Sequence, residues 1–212
     1  MKIKTFSDGL LSSNGYLVWN EDGGSGAVID CGNDVETVEK FATEHGITVD
    51  QVILTHGHYD HADYVEDYLG VFPSAKLLCH ENEVQILRDC IANLTPWFGE
   101  PKAYPDPDEV VKNGDSVVIR GKSPGNDIVF RVIDAPGHTP GSFLLLCEKE
   151  KIMFTGDVLF KRGRGRTDFR GGDEATMRET LRMIAEMDDA IVFYSGHGDV
   201  STVGAEKSWL LR

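Results

Sequence analysis

Positive charge is scarce in this sequence. The 212 residues carry 21 Lys and Arg against 35 Asp and Glu, a net charge of −14. Such a surface repels the phosphates of nucleic acids and anionic lipid headgroups, so neither nucleic acid nor membrane is expected as a partner. Long apolar runs are missing too. No stretch approaches the ~18 residues of a membrane span, and MKIKTFSDGLLSSNGYL lacks the apolar core of a signal peptide. Only Cys31, Cys79, Cys90 and Cys147 occur, with no CxxC spacing. They read as free thiols of a reducing compartment, and the expected location is cytoplasmic. No GxSxG exists to suggest a serine nucleophile. At 41% hydrophobic and 26% charged, the composition is that of a globular chain, expected to form a single domain over residues 1–212.

Glycine is plentiful. Twenty-three glycines exceed the usual share of ~7%, so many turns must be tight. Short β-branched runs predict strands: KIKTF, GYLVW, GAVID, QVILT and KLLCH in the first half, then SVVIR, DIVFRVIDA, SFLLLC, KIMFT and AIVFYS. Helices are expected at 34–46, in the second half of HGHYDHADYVEDYLG, at 81–94, at 173–187 and at 204–211. Residues 95–108 hold four prolines and read as irregular. Two strand blocks, each followed by helix, imply an α+β fold: a four-layer αββα sandwich of two face-to-face sheets with helices outside.

Five of the seven histidines lie in three short segments, each after an expected strand: THGHYDH (55–61), APGHT (135–139) and SGHG (195–198). A fourth strand ends in Thr155-Gly156-Asp157. A catalytic zinc takes about four ligands with one position open. His56, His58, Asp60, His61, His138, Asp157 and His197 are too many for one ion. They suit two divalent ions sharing a carboxylate, zinc first, although the donors also suit iron or manganese. His45 and His80 stand outside this pattern and read as ordinary histidines.

From VIDCG to GHGDVSTVGAEK the chain resembles the metallo-β-lactamase superfamily. The resemblance implies His56, His58 and His138 on a first metal and Asp60, His61 and His197 on a second. Asp157 would bridge, and Asp30 would orient a ligand. Histidine at position 58 differs from the Glu of flavo-diiron proteins. Asp157 differs from true β-lactamases, which lack this bridging carboxylate. TGDVLFKRGRGRTDF followed by GHGDVSTVGAEK is similar to the glyoxalase II group, the hydroxyacylglutathione hydrolases. Only 15 residues follow His197, so the C-terminal helical domain of typical glyoxalase II is not expected.

The chemistry implied is hydrolysis. A metal lowers the pKa of bound water from ~15.7 to about 7, and a bridging hydroxide would attack a thioester or ester carbonyl such as that of S-lactoylglutathione. A thiol leaving group of pKa near ~8.5 needs no strong acid. Asp60 and Asp157 are the catalytic carboxylates of this reading. Residues 161–170 hold Lys161, Arg162, Arg164, Arg166 and Arg170 against the single Asp168. Arg166, matching a basic glutathione-contacting position of glyoxalase II, and Arg164 are candidates to hold a small anionic substrate. Arg166 has an alternative, pairing with Asp168 to brace the loop. Trp97, Phe98 and Tyr104 could wall the metals or merely pin their loop. Tyr59, inside the metal motif, and Tyr194, near His197, are candidates to support the ligands, and Tyr59 also to touch the substrate. Two other functions share the motifs: a persulfide dioxygenase with one iron on His56, His138 and Asp157, and a lactonase or phosphodiesterase on the same centre.

Overall fold

A computed structural model describes residues 1–21, 23–123 and 125–210. The first half of the chain forms β1 (Lys2–Phe6), β2 (Gly15–Trp19), β3 (Ser25–Ile29), β4 (Thr48–Ile53), β5 (Lys76–His80) and β6 (Glu109–Val111). The second forms β7 (Ser116–Ile119), β8 (Ile128–Asp134), β9 (Phe143–Cys147), β10 (Ile152–Gly156), a hairpin of β11 (Leu159–Phe160) and β12 (Gly163–Arg164), then β13 (Val192–Ser195) and β14 (Ser201–Thr202). One six-stranded sheet runs β1-β2-β3-β4-β5-β6, and the other runs β14-β13-β10-β9-β8-β7. The strands β3 to β6 are mutually parallel. Parallel neighbours need crossovers. These are supplied by α1 (Val35–Glu44), by α2 (Tyr59–Ala62) with α3 (Val65–Val71), and by α4 (Val84–Arg88) with α5 (Thr95–Phe98). In the second half, α6 (Glu174–Ala185) carries the chain from β12 to β13, and α7 (Val203–Leu210) follows β14.

Three separate cores make the four layers. Between the sheets, Tyr16, Val18 and Ile29 meet Phe130, Val132 and Phe154. Leu17, Val28 and Val52 point the other way, toward Val38 of α1 and Tyr68 of α3. Leu144, Met153 and Phe193 face Met177 and Ile184 of α6. Both faces of a strand are therefore covered, which is why GYLVW is apolar throughout instead of alternating. The expected αββα sandwich is the observed architecture. No helix among the described residues is long and apolar enough to cross a membrane.

Local signals decide the element ends. Asp34 caps α1 by accepting from the Thr37 amide at 3.1 Å, and Gly46 turns the chain with φ +63°. Two expectations need correction. The helix expected over 81–94 is a single 3-10 turn, Glu81–Glu83, and the five residues of α4. It stops because Asp89 turns extended and its carboxylate accepts from the Ile91 amide at 2.9 Å. Residues 95–108 are not wholly irregular, since α5 tolerates Pro96 in its first turn, where no amide donor is needed. The last residue of the helix expected at 204–211 lies outside the described residues. Phe130 is fully buried between the sheets. Phe130→Ala should lower the unfolding free energy by about 3–5 kcal/mol in denaturant titration, with the fold retained.

Candidate metal centre

The strands of both sheets end on one rim, and the candidate ligands leave from those ends. His56 and His58 follow β4, His138 follows β8, Asp157 follows β10 and His197 follows β13. The single turn of α2 brings Asp60 and His61 round to the same point. All but His197 are buried. The structure thus brings together all seven candidates. In each of three groups the donor atoms lie within 4.8 Å of one another: His56–His58–His138, Asp60–His61–His197, and His56–His61–Asp157. Asp157 stands between the first two. Its Oδ1 is 3.3 Å from His61 Nε2, and its Oδ2 is 3.5 Å from His197 Nε2 and 3.7 Å from His138 Nε2. Asp60 Oδ2 lies 3.1 Å from His197 Nε2 and 3.5 Å from His61 Nε2.

Such packing is costly unless something ties the groups together. Nε2 of His56, His58 and His61 and Oδ1 of Asp157 are buried without a hydrogen-bond partner. Each orphan costs on the order of 1–3 kcal/mol. Imidazole nitrogens and carboxylate oxygens converging from several directions are the donor set of a divalent metal, and a cation would supply the missing partner. The residues present fit such a group.

Neighbours fix the direction of three of the rings. His138 Nδ1 lies 2.7 Å from the Arg166 carbonyl, which only accepts, so Nδ1 carries the proton and Nε2 a lone pair. His197 Nδ1 faces the Ser12 carbonyl at 3.2 Å in the same way. His61 Nδ1 is 2.9 Å from Asp30 Oδ2. Asp30 is gripped in turn by the Thr55 amide at 2.8 Å and the Thr55 hydroxyl at 2.9 Å. Its backbone sits in the left-handed region, φ +63°, where Asp is tolerated better than most residues. That turn swings the carboxylate from the end of β3 across to β4. Glycine clears the remaining space. A Cβ on Gly196 would strike Asp157 Oδ1 and His61, and one on Gly165 would strike the Asp157 carbonyl and His138.

Protonation differs between the groups. Burial, reinforced by neighbouring imidazoles, holds His56 and His58 well below the ordinary histidine value. Burial likewise lowers His138. These rings are neutral near pH 7 and ready to donate lone pairs. Burial also opposes charge on His61, yet Asp60, Asp157 and Asp30 outweigh it and hold its pKa well above normal. At His197, burial is outweighed by hydrogen bonds to Asp157 and Asp60, and the pKa rises to about 9. Burial pushes Asp157 up, but His61 and His197 overcome it and keep the carboxylate ionised.

Several supporting residues carry no motif. Glu83 is fully buried and accepts from the Gly57 amide at 2.8 Å, the Gly141 amide at 2.8 Å and the Thr139 hydroxyl at 2.5 Å. One carboxylate therefore braces the loop of His56 and His58 against the loop of His138. Burial raises its pKa to about 7 despite these donors. Ser13 donates to the Asp60 carbonyl at 2.7 Å, and Tyr16 donates to the Ser195 carbonyl at 2.6 Å beside His197. A serine ahead of a strand, or a tyrosine within one, gives no signal of this role.

A cavity of about 370 Å³ opens over the ligands. Phe98, Arg164 and Arg166 line it, together with Leu11, Leu94, Phe160 and Phe169. Arg166 is paired with Asp168 at 2.6 Å, and Arg164 holds both oxygens of Glu174 at 2.8 and 2.9 Å. The bracing alternative is the arrangement seen. Tyr59 stacks on Phe98 and Trp97 makes a T-shaped contact with Phe169, but neither of them lines the cavity itself. Tyr104 is buried in the helix-side core and Tyr194 packs on Tyr16 and Phe154 between the sheets. The position of Tyr194 beside His197 in sequence does not carry over to its ring, because β13 points that side chain into the core. His80, outside the centre, accepts from the Asn82 amide at Nδ1 and donates from Nε2 to Asp134, 3.0 Å away.

This rim of histidines and aspartates on an αββα sandwich defines a class. Residues 8–197 match the model of the metallo-β-lactamase superfamily, and the chain belongs to that superfamily. Among its relatives is the hydroxyacylglutathione hydrolase GloC of Haemophilus influenzae, 30% identical over 98% of this chain and 95% of that protein. A crystal structure of the BLEG-1 B3 metallo-β-lactamase is 30% identical with a TM-score of 0.86, covering 98% of this chain and 97% of that one. ETHE1 from Myxococcus xanthus is 27% identical with a TM-score of 0.75, covering 98% and 82%.

Two measurements probe the centre. Asp30→Ala frees His61 and should weaken metal binding roughly 10–100-fold in chelator competition. Metal binding near pH 7.5 should also release protons unevenly. A metal displaces a proton only from a ring that carries one. The raised pKa values of His61 and His197 place protons there, whereas His56, His58 and His138 are already neutral. Calorimetry in buffers of different ionisation enthalpy should assign the release to the equivalent that occupies the Asp60 group.

Proposed function

We propose that this chain is a dinuclear metal-dependent hydrolase of thioesters, akin to the hydroxyacylglutathione hydrolases. The observation that carries the proposal is the pair of donor groups on either side of Asp157, His56–His58–His138 and Asp60–His61–His197. Two divalent ions, zinc in the first instance, would take these groups. When bound, such ions activate water at neutral pH and polarise a carbonyl.

The chain's own residues account for the remainder. Asp157 faces both groups and holds them at a fixed separation. Asp60 and Asp157 supply the negative charge that offsets two dications and can accept hydrogen bonds from a reacting water. Asp30, Thr55, Ser12 and the Arg166 carbonyl keep the rings aligned, so no reorganisation is needed during reaction. The overall change is addition of water across the acyl–sulfur bond, giving a carboxylic acid and a thiol. The thiol leaves readily as thiolate, so its departure needs no strong acid. The name of the Haemophilus relative supports a thioester. The likeness to a B3 β-lactamase places a β-lactam beside it in any substrate panel.

The test is metal content and turnover together. Metal-loaded protein should hold two ions and hydrolyse S-lactoylglutathione faster than a lactone, a phosphodiester or a β-lactam. Asp60→Ala should cost at least about a hundredfold in kcat/KM. A single iron with oxygen uptake on glutathione persulfide would instead mark a dioxygenase built on His56, His138 and Asp157.

A further inference from the structure

The cavity over the centre has two unlike sides. Leu11, Leu94, Phe98, Phe160 and Phe169 supply its apolar lining, with Phe169 edge-on to His58 and Phe160 edge-on to His197. Leu11 is 54% exposed and Phe98 43% exposed. A left-handed backbone at Leu11, φ +52°, ends in the wall rather than in a core. The rings are stiffened by one another. Phe98 stacks on Tyr59 with centroids 5.1 Å apart, and Phe169 makes a T-shaped contact with Trp97 and carries the Arg166 guanidinium 4.0 Å from its ring centroid. Large apolar side chains held open to water beside polar groups are the usual mark of a ligand groove.

The charged side has less to offer than its sequence suggests. Lys161 pairs with Asp199, Arg164 with Glu174, Arg166 with Asp168 and Arg170 with Asp89. Four of the five cations of 161–170 are thus matched by carboxylates. An anionic carrier arriving at Arg166 meets the Asp168 carboxylate with it. Displacing an exposed pair of this kind gains little, because one screened contact replaces another.

We infer that the substrate is recognised through an apolar acyl group lying on the Leu11–Phe98–Phe160–Phe169 wall, while the charge of its thiol carrier adds little. This rests on the thioester-hydrolase reading and names the substrate class within it. A matched set of thioesters tests it on the metal-loaded full chain: acetyl, butanoyl and hexanoyl groups on neutral N-acetylcysteamine and on glutathione. Burial of one methylene is worth about fourfold when complete. In this open cavity kcat/KM should rise by roughly tenfold or more from acetyl to hexanoyl. The two carriers should agree within about threefold, as expected where ion pairs are exposed. Phe98→Ala should narrow the hexanoyl-to-acetyl ratio severalfold. A flat dependence on acyl length, or a preference for glutathione above about tenfold, overturns the inference. Calorimetry with the S-hexyl and S-methyl thioethers of N-acetylcysteamine separates the two proposals. If no thioester is hydrolysed, the function falls, and tighter binding of the S-hexyl compound still upholds the wall. Equal binding of the two thioethers overturns it.

Discussion

One carboxylate facing several imidazoles governs this molecule. Asp157, on the end of β10, lies within 3.3–3.7 Å of His61, His138 and His197. Groups so close and so deeply buried can coexist only if their protons, lone pairs and charges are all assigned. The rest of the rim performs that assignment. Asp30 takes the far nitrogen of His61, the Arg166 carbonyl takes that of His138, and the Ser12 carbonyl takes that of His197. Glycines at 165 and 196 leave the gaps that side chains would close. The sandwich supplies rigid strand ends for this, since the residues just before the ligands are anchored in two ladders and three cores.

The second constraint is the joint between loops. His56 and His58 come from one sheet and His138 from the other, so their spacing depends on how the sheets are clamped. Glu83 is the clamp nearest to them, with one oxygen on Gly57 and the other on Thr139 and Gly141. A carboxylate buried this completely is unfavourable by itself. Its three donors compensate, and the arrangement trades stability for a fixed loop-to-loop distance.

The sequence made the metal motif legible because its densest part is local. HGHYDH spells four candidate ligands within six residues, and the others each follow a strand. The sandwich was legible from the two strand blocks. What escaped detection was long-range. Ser12 and His197 are 185 residues apart, Gly57 and Glu83 are 26 apart, and Tyr16 reaches Ser195 across 179. The cationic loop is the sharpest case. Counted along the chain it is a positive patch, but Asp89, Glu174 and Asp199 arrive from elsewhere to balance it. The short α4 and α5 were misjudged because Asp89 and Pro96 act through cap geometry, which periodicity does not register.

The division of the ligands between the sheets also has a consequence in time. Neither proposed metal group is complete within one half of the chain: the first waits for His138 and the second for His197. A ribosome therefore releases the histidine-rich HGHYDH long before its partners exist. The Asp60 group in particular needs both sheets, because His197 follows β13, which pairs with β10 of the second sheet.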